Sequence, residues 1–218
     1  MKVNLMHGAG GEVMGELLEV LTRLEHRNAG GIGVEARDDG AVIPVNGTNI
    51  VFTTDSHVVR PIFFPGGDIG RISICGTVND LAMMGGRPIA LSCGMIIEEG
   101  FLIEDLERIV RSMDQALGEC GANLVTGDTK VLERGALDGI AINTAGIGVA
   151  DTIVRDSGLQ EGDIIIVSGT LGDHGIAIMA ERADLKFGEQ IVSDVAPLWS
   201  LVEGACAAGT IHAMKDPT

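Results

Sequence analysis

Between residues 89 and 131 a β-rich run, an amphipathic helix and a second β-rich run follow one another with almost nothing between them. "IALSCGMII" reads as a strand, "LIEDLERIVRSMDQALGEC" (102–120) carries apolar residues at helical spacing, and "ANLVT" reads as the next strand. A βαβ progression belongs to an α/β sheet, so the chain is expected to build one. The second strand is predicted to be buried and to finish at "GDTK", where Gly127, Asp128, Thr129 and Lys130 stand side by side. In an open α/β sheet, ligands bind beyond the carboxyl ends of strands, which would turn these four residues toward a ligand. A polar turn with an Asp128–Lys130 ion pair is the alternative.

The remaining pattern divides the chain into two α/β halves, residues 1–150 and 151–218. Residues 12–26 follow the glycine-rich "HGAGGE" and place Val13, Leu17, Val20, Leu21 and Leu24 on one helical face. "AVIPV" and "NIVFTTD" flank Asn46 and Gly47, predicting a hairpin whose second strand ends at Asp55. A helix is expected through Ile69, Ile72, Val78, Leu81 and Met84, and "GIAINTAGIGVA" reads as a strand of alternating small and apolar residues. After the polar connection "DTIVRDSGLQEGD", the second half opens with "IIIVSG", read as a buried strand. "TLGDHGIAIMAER" and "VAPLWSLVEGACAAG" read as helices, and the sequence shows no internal repeat.

Charge narrows the function. Lys and Arg total 15 against 31 Asp and Glu, a net charge of -16, which disfavours direct contact with nucleic acid or an anionic membrane and suits a protein that binds cations. With aromatic residues at 3%, no Tyr and one Trp, stacking of bases on an aromatic platform is also disfavoured. Cys75, Cys93, Cys120 and Cys206 have no CxxC spacing and lie among apolar or small residues, so buried free thiols in a reducing cytoplasm are expected. No stretch reads as a signal peptide or as a membrane span.

The chemistry is predicted to lie in acids placed at the ends or edges of apolar elements. Asp38 and Asp39 precede "AVIPV", Asp55 ends "VFTTD", Asp80 sits in "VNDLA", Asp128 follows "NLVTG" and Asp216 sits in "KDPT". Hard divalent cations such as Mg²⁺ take oxygen ligands and bridge a few carboxylates to substrate phosphates, so acids converging on one cleft would suit a Mg²⁺-nucleotide. Singly, each acid is better explained as a cap or a solvated turn, and it is the set that points to a metal-nucleotide. The sequence contains neither GxxxxGK[ST] nor a dinucleotide GxGxxG, and His7, His57 and His174 show no paired metal-ligand spacing.

Seven segments, "DDGAV", "TTDSHVV", "FFPGGDIGRISICGTVNDLAMMGGRP", "LSCGMIIEEG", "VTGDTKV", "INTAGIG" and "VSGTLGDHG", resemble the HypE hydrogenase-maturation family. That family is part of the wider PurM/AIR synthase-like group, with aminoimidazole ribonucleotide and selenophosphate synthetases. The "DD", "VNDLA" and "GD" acids are shared across the group, whereas "FFPGGDIG", "GDTKV" and "GTLGDHG" point to HypE.

The resemblance implies two α/β domains, an N-terminal ATP-binding and dimerisation domain over 1–150 and the start of a C-terminal domain over 151–218, with first domains pairing in a homodimer. It implies an ATP- and Mg²⁺-dependent dehydration of a carboxamide, carried as a thiocarbamate on the protein's own C-terminal cysteine, to a thiocyanate whose cyanide goes to the iron of [NiFe]-hydrogenase. The implied partners are a HypF-type carbamoyltransferase and a HypC–HypD-type iron scaffold.

By position in the matching motifs, Asp38, Asp39, Asp55, Asn79, Asp80, Gly127 and Asp128 would bind the nucleotide, and Asp39, Asp80, Asp128 and Asp216 would hold Mg²⁺. Lys130 is the leading catalytic candidate, as charge stabiliser or proton-transfer group, with His57 and Thr129 as orienting groups. The chain departs from the family by ending inside "DPT" with its last cysteine, Cys206, in an apolar helix pattern, so an N-terminal portion lacking the substrate-bearing tail is expected. Another ATP-dependent synthetase of this fold and a non-catalytic dimeric binding module are the competing readings.

Overall fold

The computed structural model describes residues 2–8, 11–185 and 191–217. Ala9 and Gly10 of "HGAGGE" and Thr218 of "DPT" therefore lie outside the described residues.

Helix α1 (Gly11–Leu21) is followed by the hairpin of β1 (Ala41–Val45) and β2 (Thr48–His57). Asn46 and Gly47 both take positive φ (50° and 82°), the two-residue turn whose twist matches that of antiparallel strands. The short pair β3 (Phe63–Phe64) and β4 (Gly67–Asp68) leads into α2 (Ile69–Met83), where the Asp68 side chain caps the helix by accepting from the Arg71 amide at 2.9 Å. Next come β5 (Arg87–Glu98), α3 (Ile103–Cys120), β6 (Asn123–Leu132) and β7 (Ile140–Ala150).

The sheet order is β1-β2-β7-β5-β6, with β5 and β6 parallel, as a βαβ crossover requires, and the other pairs antiparallel. α2 and α3 cover one face. Ile69, Ile74, Val78, Ile109 and Met113 from the helices pack there against Leu91, Cys93, Ile140 and Ile142 from the strands, all at least nine-tenths buried. Among the described residues no helix lies on the other face, which carries Phe52, Ile96 and Ile147, each about 40% exposed.

The second half has α4 (Asp173–Arg182) and α5 (Trp199–Ala208), both anticipated from sequence. Three expectations fail. Residues 123–132 form an exposed edge strand with no buried residue, because among the described residues β6 has a neighbour on one side only, and "GDTK" lies within the strand instead of beyond it. "IIIVSG" forms no strand, and Ile164, Ile165 and Ile166 are more than four-fifths exposed, since no described strand pairs with them. Cys206 is exposed, while the other three cysteines are buried free thiols. Among the described residues, no helix is long and apolar enough to cross a membrane.

Candidate functional site

Alternation along β2 sets Thr53, Asp55 and His57 on the face that meets α2. The Thr53 hydroxyl lies 3.0 Å from the Asp39 carbonyl oxygen and 2.9 Å from Asp80 Oδ2, so its single hydrogen can serve either. Asp80, on α2, thereby meets Asp39, on the loop before β1, and Asp216, from the chain's last described segment. One oxygen from each of these three carboxylates lies within 4.8 Å of the others.

The Asp39 side chain is 4% exposed, and its Oδ1 pairs with Lys215. Its Oδ2 is buried without a hydrogen-bond partner among the described residues. An orphaned oxygen among three hard donors fits a divalent cation that takes oxygen ligands. Burial, with the charges of Asp216 and Asp55, pushes the Asp80 carboxyl up to about 7, against a smaller opposing effect of the Thr53 hydrogen bond. A cation there would restore the ionised form.

The neighbouring acids have other occupations. The Asp38 side chain is 1% exposed and accepts from Arg155 Nε at 2.9 Å and the Asp156 amide at 3.1 Å, so it fastens the connection to the second half while Asp39, next to it, faces the cluster. Asp55 Oδ2 lies 3.2 Å from His57 Nε2, and burial lowers the imidazole's pKa more than Asp55 raises it. Gly76 of α2 makes room for this pair: a Cβ there would stand 2.9 Å from both Asp55 Oδ2 and His57 Cε1. Asn79 holds the chain before α5, donating to the Ala196 carbonyl at 3.1 Å and accepting from the Leu198 amide at 2.8 Å.

Asp128 and Lys130 stand elsewhere. Asp128 is in register with Gly94, Asn143 and Ser56 across the sheet, which sets it on the helix-free face, opposite to Asp80. It pairs with Lys130 at 3.3 Å, both side chains about 70% exposed. Together with Ser56, His57, Gly94 and Asn143 they line a shallow concavity of about 270 Å³. Thr129 is exposed opposite Met95. Gly127 faces Cys93, where a Cβ would come within 2.4 Å of the Cys93 carbonyl oxygen, so its glycine is explained by strand pairing.

Of the sequence-predicted acids, the chain brings Asp39, Asp80 and Asp216 together, sets Asp55 close enough to influence Asp80, and leaves Asp38 and Asp128 outside the group. Sequence reasoning missed Thr53, Arg155 and Lys215. A basic residue adjoining an acid, as in "MKDPT", was the available signal for Lys215.

The family models for AIR synthase related protein match this chain, the N-terminal domain over residues 37–150 and the C-terminal domain over 160–218. A hydrogenase expression/formation protein of Methanocaldococcus jannaschii is 53% identical over 100% of this chain and 66% of its own length. The carbamoyl dehydratase HypE of Rhizobium leguminosarum is 48% identical over 100% and 62% respectively. The chain thus spans just under two thirds of these relatives. Among solved structures, a HypE–HypF complex superposes with a TM-score of 0.84 at 44% identity over 95% of this chain and 66% of that one. HypE in complex with ATP gives 0.76 at 41% identity, over 100% and 64%.

Proposed function

Because the chain belongs to the AIR synthase-related family, on its HypE branch, and has that family's α/β fold, we propose that it carries the nucleotide-handling part of a carbamoyl dehydratase of hydrogenase maturation. The observation that carries this reading is the Asp39–Asp80–Asp216 group with its orphaned Asp39 oxygen. These residues would hold Mg²⁺, with ATP phosphates beside it and Asp55 close by. Bound there, the metal neutralises triphosphate charge during phosphoryl transfer.

The substrate is a carboxamide on a cysteine thiol. Its oxygen is a poor leaving group, so it takes a phosphoryl group from ATP and departs as phosphate while the nitrogen loses its protons, leaving a thiocyanate that serves as a cyanide source. Lys130 is the proposed charge-stabilising or proton-transfer group, with His57 and Thr129 orienting the substrate; Asp38, Asn79, Gly127 and Asp128 complete the proposed nucleotide set.

In one chain Lys130 and Asp80 belong to opposite faces of the sheet. A homodimer built on the helix-free face would cover Phe52, Ile96 and Ile147 and set the Lys130 of each copy at the interface. A HypF-type carbamoyltransferase and a HypC–HypD-type iron scaffold are the proposed partners. The domain division at 150/151 and a cytoplasmic setting complete the proposal.

Calorimetric titration with Mg-ATP tests the site. Asp39→Asn and Asp80→Asn should each weaken binding by about 1–3 kcal/mol, the range for a lost charge-assisted contact, whereas Glu107→Gln on the exposed side of α3 should not. Equal affinities in all three variants would remove the acidic group from the nucleotide site.

A further inference from the structure

Lys215 immediately precedes Asp216, and the two residues engage the same group of carboxylates: Asp216 supplies an oxygen to it, and the Lys215 ammonium sits on Asp39 Oδ1. The partners are unequal in burial. The Asp39 side chain is 4% exposed, whereas that of Lys215 is 56% exposed and reaches in from solvent on a flexible stem. Three carboxylates packed within 4.8 Å repel one another unless a positive charge stands among them. Among the described residues, Lys215 is the cation with an ion pair to this group, since Arg155 is spent on Asp38. Asp39 is therefore half-satisfied, with Oδ1 on an ammonium that can leave and Oδ2 on nothing.

We propose that Lys215 is a tethered stand-in for the metal: its ammonium holds Asp39 Oδ1 until a divalent cation displaces it, while Asp216, one residue along, remains as a ligand. This rests on the metal reading of the acidic group given above. The arrangement has two effects. It keeps the second half's terminal segment docked on the first half before any ligand arrives, and it sets the metal in competition with an intramolecular cation, so that affinity for the free ion is lowered.

The test uses Mn²⁺ without nucleotide, with free Mn²⁺ read by electron paramagnetic resonance, on the 218-residue chain. Lys215→Met should bind Mn²⁺ roughly fivefold more tightly than the parent, as expected when a competing ion pair is removed. Lys215→Arg should restore affinity close to that of the parent, and Arg111→Met, which removes a distant exposed charge on α3, should change it less than twofold. Should Lys215→Met fail to fold, Lys215→Gln makes the same comparison. Unchanged or weaker binding in the charge-removing variant overturns the proposal, weaker binding being the sign of a lysine that merely holds Asp216 in place. Absence of Mn²⁺ binding in parent and variants alike overturns the metal reading and this inference together.

Discussion

Asp80 shows what a single residue can report about this site. Its carboxyl ordinarily titrates at 3.8 and is pushed up to about 7 in the fold, so between those values the native chain binds more protons than the unfolded one. The stability linked to Asp80 is therefore full below its ordinary value and lost as pH rises to about 7. Asp80→Asn cannot ionise, so in chelator-treated protein its stability relative to the parent should climb from pH 5 to pH 7 and level off by pH 8. Urea unfolding at these values checks this, and a difference that stays flat would mean that Asp80 does not titrate in that window. Asp39 and Asp80 were legible in sequence because one borders and the other interrupts an apolar run, and Asp216 because "DPT" resembles a family motif. Thr53 was not, since a threonine in a β-rich stretch reads as an ordinary strand residue, and only the approach of α2 gives its hydroxyl a carboxylate to bond.

At the scale of elements, α2 and β2 meet through Gly76, where a side chain would collide with the Asp55–His57 pair. Replacing glycine by alanine inside a helix ordinarily adds up to about 1 kcal/mol. Gly118 of α3 has nothing within 4 Å of a Cβ, so Gly118→Ala should show that gain, whereas Gly76→Ala should forfeit it by displacing Asp55 and His57. Equal gains in chemical denaturation would show that the pair yields freely. The hairpin at Asn46–Gly47, the β5–α3–β6 crossover and the helices were readable from periodicity and turn chemistry alone, except that α1 ends at Leu21 and leaves Leu24 exposed beyond it. The role of β6 was not: an apolar run such as Leu124–Val125 has the same period on an edge as in a sheet's interior, and only the strand order reveals that one side is open. Likewise Ile164–Ile166 carry a buried strand's composition without a described neighbour to bury them.

For the whole molecule, the two faces of the sheet ask for different things. One is packed by α2 and α3, while the other shows Phe52, Ile96 and Ile147 to solvent beside Asn143, whose amide bonds the Asp55 carbonyl at 2.9 Å. Light scattering at micromolar concentration should return the mass of two chains, and Ile96→Arg, which places a charge in that apolar face, should return one. A parent that scatters as a monomer would refute the dimer. Pairing by faces leaves the outer rim of β6 uncovered, with every residue of the strand exposed and the backbone donors and acceptors that are not paired with β5 facing outward. Such a rim can recruit strand after strand into a fibril, and the Asp128–Lys130 pair sets two opposite charges in the middle of it. Whatever chemistry these two residues perform, they also act as gatekeepers, keeping an adhesive border from becoming a seed for aggregation.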